Sequence, residues 1–221
     1  VSNPVANSTT AIFAVTFSAS VTLLWAFSRN GNMALVAVFV SAFVIVSLPF
    51  LRFYFYGADL VGEYFVADVT HELGRWTPER VTGTSIRLDW HLTQKPNQLD
   101  HRYFSTISVT ILPAVVADVT GLPIRQVLWI LLSVVSTVVV IVVFLITKMC
   151  FGQKIATMSS AIFVFSSFYI GKFATILRED VALLFLLLAT FCLLRGGRKG
   201  LVLSVISLML LPLCHYGLVY F

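Results

Sequence analysis

The sequence predicts an all-α membrane protein of about six transmembrane helices, with a large outer loop carrying amphipathic juxtamembrane helices. Three observations predict this. Hydrophobic residues make up 58% of the 221 residues and charged residues only 11%, against roughly a quarter charged in soluble domains. The mean hydropathy is +0.94, and a soluble fold of this size could not hide so much apolar side chain. The apolar residues also come in uncharged runs of 17 to 22, longer than strands and close to the ~20 residues that cross a bilayer core.

The first 28 residues carry no charge, and Ala11 to Phe27 can span. A cleaved signal peptide would want a basic n-region, which is missing, so a retained helix is expected. Ser28 to Asn32 is a turn, and Met33 to Leu51 is the second span, closing a first unit of residues 1–52. Residues 53–125 form the polar outer loop, which holds eight of the ten acidic residues and three of the four histidines. Within it, Ala58 to Trp76 reads as an amphipathic helix, with Asp59, Glu63, Asp68 and Glu72 polar among apolar residues at helical spacing. Tyr103 to Val119 is a second, more apolar segment that Pro113 bends or ends. Both are expected along the membrane surface with apolar faces down, and Thr77 to Asp100 as a loop that orders over a ligand.

Residues 126–221 supply four more spans. Gln126 to Thr147 is followed by a basic turn, Lys148 to Lys154. Ile155 to Thr175 and Ile176 to Leu194 make a hairpin, Arg195 to Gly200 is a second basic turn, and Leu201 to Tyr216 is the last span. The basic residues divide unevenly. With the large loop outside, the inner turns hold Arg29, Lys148, Lys154, Arg195, Arg198 and Lys199, while the short outer turn holds Lys172 and Arg178. That satisfies the positive-inside rule and places the N-terminus and the large loop outside the cell membrane. Asn7-Ser8-Thr9 there is a glycosylation sequon.

The net charge of +5 is scattered and forms no stripe, which argues against a nucleic-acid partner. Cys150, Cys192 and Cys214 have no metal-ligand spacing and read as packing residues. The chain starts without Met and stops in an apolar run, as a piece of a longer protein would.

Three polar features remain. Asp59 and Glu63, four residues apart, share one helix face, either as a solvated surface or as a site. Arg178-Glu179-Asp180 opens an apolar run, where charges are costly. His215 ends the last span. All fall at the same outer surface, as a membrane-surface active site requires.

Short motifs carry a resemblance across the chain from about Tyr54 onward. These are Tyr56-Gly57-Ala58-Asp59-Leu60-Val61-Gly62-Glu63-Tyr64, Gly74-Arg75-Trp76, Tyr103-Phe104-Ser105 through Ile111-Leu112-Pro113, Leu177-Arg178-Glu179-Asp180 and Cys214-His215-Tyr216. The pattern resembles a family of archaeal multi-pass membrane proteins similar to the GT-C superfamily of glycosyltransferases. It departs from better-known members in having fewer spans and no C-terminal soluble domain.

The resemblance implies transfer of a sugar from a polyprenyl-phosphate donor in the membrane lipid to an unidentified acceptor. By it, Asp59 and Glu63 are catalytic, and Glu179 and Asp180 hold a divalent metal, Mg or Mn. Arg75, Lys172, Arg178 and His215 bind the phosphate. Two alternatives stand beside it: a non-catalytic membrane scaffold or assembly subunit whose carboxylates point separately into water, and a transporter fragment with ionisable residues in mid-span.

Overall fold

In the computed structural model, residues 31–47, 58–74, 106–166 and 177–214 are described. They form seven helices and no strands: α1 (Gly31–Ser47), α2 (Ala58–Leu73), α3 (Ile111–Thr120), α4 (Ile124–Phe151), α5 (Gln153–Val164), α6 (Leu177–Arg195) and α7 (Gly197–Cys214). The expected span Ala11 to Phe27, the sequon and the loop Thr77 to Asp100 lie outside the described residues.

Two of these helices, α4 and α7, are long and apolar enough to cross a membrane. At 28 residues α4 is about 42 Å long, longer than the ~30 Å hydrocarbon core. On α7, Leu201, Val202, Val205, Ile206 and Met209 are all exposed. A broad exposed apolar face on a helix is what a surrounding of lipid, or of other helices, accommodates.

α4 is the axis of the fold, with α1, α5 and α6 packed along it and α7 packed on α6. α1 buries Ala37, Val38, Ser41, Ala42 and Ile45 on one face, and Ser47 Oγ donates to Ser133 Oγ of α4 at 3.3 Å. α2 and α3 pack on each other and on α4, and together they cap one end. The turn before α3 rests on the end of α7. Ile107 N–H donates to the Leu213 carbonyl at 3.1 Å and Ser108 Oγ to the Cys214 carbonyl at 3.2 Å. Those carbonyls belong to a last helical turn and have no partner within their own helix.

The sequence boundaries shift for identifiable reasons. The basic turn expected over Lys148 to Lys154 shrinks to Gly152, because the helical runs on either side extend to meet it. The second basic turn shrinks to Gly196, whose φ of +72° is a left-handed conformation costly for any side chain. Arg198 and Lys199 therefore belong to the first turn of α7. Pro113, expected to bend or end its segment, is instead the third residue of α3. In a first turn the missing N–H costs nothing.

At Gly200 the two helices of the α6–α7 hairpin are in close backbone contact. A Cβ added there would lie 2.5 Å from the Cys192 carbonyl oxygen, a backbone atom that cannot yield cheaply. Close approach through a small residue is how apolar helices gain contact without a hydrophobic driving force. Gly200→Ala is expected to lower stability by about 1–3 kcal/mol despite alanine's better helix propensity. Thermal unfolding in detergent should show the lower midpoint, and an unchanged or raised midpoint would contradict this packing.

Candidate functional site

The site forms where the cap meets the bundle. α2 spaces Glu63, Val66, Ala67 and Thr70 on the face it turns inward, and all four are buried. Glu63 is fully buried rather than on a solvated face. Its Oε2 accepts the N–H of Leu177 at 2.8 Å and its Oε1 that of Arg178 at 3.3 Å. These are the first two N–H groups of α6, which have no carbonyl partner inside their own helix. Glu63 thus caps a helix 114 residues further along the chain, with its charge against the positive end of the helix dipole.

Arg178 Nε stands 3.9 Å from the same Oε1, with the guanidinium-bearing side chain 7% exposed. At that distance the ion pair is long, and the two charge-assisted N–H bonds carry most of the attachment. One residue past Glu179, Asp180 turns into the bundle, where the Ser136 hydroxyl of α4 donates to its Oδ2 at 2.6 Å. Asp180 is 3% exposed, while Glu179 between them is half-buried.

These contacts fix direction and level. Helix N-terminal N–H groups point back along the axis, so Glu63 stands beyond the start of α6, and α6 runs away from the cap. From the Ser136–Asp180 contact, fifteen residues on each helix lead to Phe151 and to Arg195, a distance of about 22 Å. Lys148, Lys154, Arg195, Arg198 and Lys199 therefore gather at one end of the bundle, and the carboxylate site lies toward the other.

The sequence-derived candidates divide accordingly. The structure joins Glu63, Arg178 and Asp180 at one level, with Glu179 beside them. Asp59 lies in the first turn of α2, one helical turn before Glu63. Arg75, Lys172 and His215 lie outside the described residues.

Among the described residues no group of three His, Cys, Asp or Glu side chains could hold a metal ion. Both Glu63 oxygens face N–H donors, and Asp180 Oδ2 is held by a hydroxyl. Hard oxygen-seeking cations need several carboxylate oxygens; Glu179, which the resemblance pairs with Asp180 as a metal ligand, is half-buried beside these groups.

Two polar features escaped the sequence reading. The first is the hydroxyl face of α4, Ser133, Ser136 and Thr137, all buried. Its i, i+3, i+4 spacing within a run of Val and Ile was a legible signal for a polar contact inside a span. The second joins α2 to α3, where His71 Nδ1 lies 2.9 Å from Asp118 Oδ1. Nearby on α2, burial holds Asp68 above its ordinary 3.8, the neighbouring Glu72 adds to that rise, and His71 opposes it.

Among the described residues, fold and site together define an all-helical arrangement with two helices long and apolar enough to cross a membrane and a buried carboxylate–guanidinium centre at one end. Compared with protein-family models, with curated proteins and with solved structures, the chain has no match.

Two outcomes follow for the cap. Glu63→Ala leaves Arg178 buried without its carboxylate and two N–H groups without acceptors, a loss of about 3–5 kcal/mol. Arg178→Met keeps both N–H bonds and is expected to cost clearly less in the same urea titration; equal losses would contradict the ranking. Asp68, with its folded value raised, stabilises the cap fully below 3.8, and that contribution is lost as pH climbs through the raised value. Asp68→Asn should therefore raise stability at neutral pH and flatten its decline as pH rises above 3.8, as measured by unfolding at a series of pH values.

Proposed function

We propose that this chain is a multi-pass membrane glycosyltransferase that takes a sugar from a polyprenyl-phosphate donor at the outer membrane face. The observation that carries this reading is the Glu63 contact, which ties the start of α6, with its Arg178-Glu179-Asp180 motif, to the helix bearing Asp59. Two acidic motifs far apart in sequence thereby come within about a helical turn of one contact. With six spans and the basic end inside, Asp180 sits about 22 Å from Arg195. That is the outer third of a ~30 Å core, toward the boundary where a lipid phosphate head group meets the hydrocarbon.

In this mechanism Asp59 is the general base. Its carboxylate takes the acceptor hydroxyl's proton as that oxygen bonds the anomeric carbon. The bond from the anomeric carbon to the phosphate oxygen breaks, and the electron pair leaves on polyprenyl phosphate. We assign Arg75, Lys172 and His215 to the phosphate, where fixed donors stabilise the departing charge. No step is routed through a metal. Arg178 lends its positive charge to the same neighbourhood while holding Glu63.

A second reading is a membrane scaffold in another form than the one whose carboxylates point separately into water: Glu63, Arg178 and Asp180 are engaged with partners inside the bundle, as groups that only hold helices together would be. Asp59→Asn separates the two. In the full-length protein in proteoliposomes, release of tritiated hexose from polyprenyl-phosphate hexose is expected to fall by roughly 10²–10⁴-fold with unchanged thermal stability. Undiminished release, or none from the parent protein over a range of hexoses, supports the scaffold.

A further inference from the structure

We infer that Glu63 is a positioning residue, not a proton-transfer group, and that its clamp on the start of α6 sets the spacing between the two halves of the proposed site. This rests on the glycosyltransferase reading for its consequence and on geometry alone for its existence. A general base needs a free oxygen within reach of an acceptor hydroxyl. Glu63 has neither oxygen free, since each faces a backbone N–H of α6 and Oε1 also faces Arg178. It is also fully buried.

The clamp is a polar link between α2 and α6, and each of the elements it joins has further anchors of its own. α2 is held by α3 and α4, with His71 and Asp118 at its far end. α6 is held by α4 and α7, with Asp180 on Ser136. Asp59 precedes the clamp by one turn on α2, and Glu179 follows it immediately on α6. Glu63 therefore lies on a short path by which the placement of one segment constrains the other.

The attachment is made by backbone N–H groups, which gives it a recognisable signature. An arginine at position 63 cannot accept an N–H, so exchanging the charges as Glu63→Arg with Arg178→Glu does not rebuild the clamp. Glu63→Gln keeps one carbonyl oxygen for the Leu177 N–H and retains part of it.

The test uses the full chain in lipid vesicles, with Cys150, Cys192 and Cys214 replaced and spin labels at the exposed positions Leu73 on α2 and Thr190 on α6. Pulsed electron–electron distances should give one narrow distribution in the parent. It should broaden or lengthen in Glu63→Ala and in the charge exchange, and be partly restored in Glu63→Gln. In hexose release, Glu63→Gln should lower kcat by up to roughly 10²-fold while KM moves little and the acidic limb of the pH profile stays in place.

A narrow, unshifted distribution in Glu63→Ala overturns the clamp, as does a distance restored by the charge exchange. A pH limb that disappears with Glu63→Gln makes Glu63 a proton-transfer group and overturns the positioning role. If the distance responds as expected while the parent releases no hexose, the clamp stands and the glycosyltransferase reading falls.

Discussion

A single buried carboxylate, Glu63, joins the cap of this protein to its helical bundle by accepting the first two N–H groups of α6. A helix that starts inside a protein must find partners for those groups, since leaving them dry and unpaired costs free energy comparable to lost hydrogen bonds. Most helices solve this with a serine or aspartate one or two residues away. Here the acceptor comes from another helix, so forming α6 correctly requires α2 to be in place. The positions of Arg178, Glu179 and Asp180 all follow from it.

The surrounding packing makes that contact possible at its depth. α4 runs past the site in both directions, meeting the cap at its beginning and the basic end at its finish. Hydroxyls on its inner face take the place of water there: Ser133 meets Ser47, and Ser136 meets Asp180. In an apolar surrounding, charge survives only when paired or hydrogen-bonded, and the buried carboxyl groups of Glu63 and Asp180 are both hydrogen-bonded. Gly200 brings α7 against α6, and the end of α7 in turn supports the segment leading into α3.

Much of the architecture was legible in the sequence because it depends on local or compositional signals. The uncharged run of α4, the apolar run of α6 and the amphipathic α2 all follow from hydrophobic patterning, although Arg178, expected in the outer turn, is already helical. Turn lengths were less legible. Gly152 and Gly196 each end a helix alone, whereas the neighbouring basic residues looked like loop and are helical. Pro113 was misread for a related reason, since a proline in a first turn and one that ends a helix differ only in where the helix begins. Glu63 was the hardest case. Its spacing from Asp59 placed both on one helix face, but whether that face meets water or another helix depends on residues more than a hundred positions away. The serine spacing of α4 was the available hint that polar groups would enter the bundle.

Amide hydrogen exchange at Leu177 and Arg178 tests this dependence most directly. First-turn N–H groups of a helix ordinarily have no partner within their own helix and exchange readily. In the full-length protein in lipid, these two amides are expected to be protected to the same degree as those in the middle of α6. In Glu63→Ala they should lose that protection while the amides of α4 keep theirs. Rapid exchange at both positions in the parent protein, or protection that survives the substitution, would contradict the account.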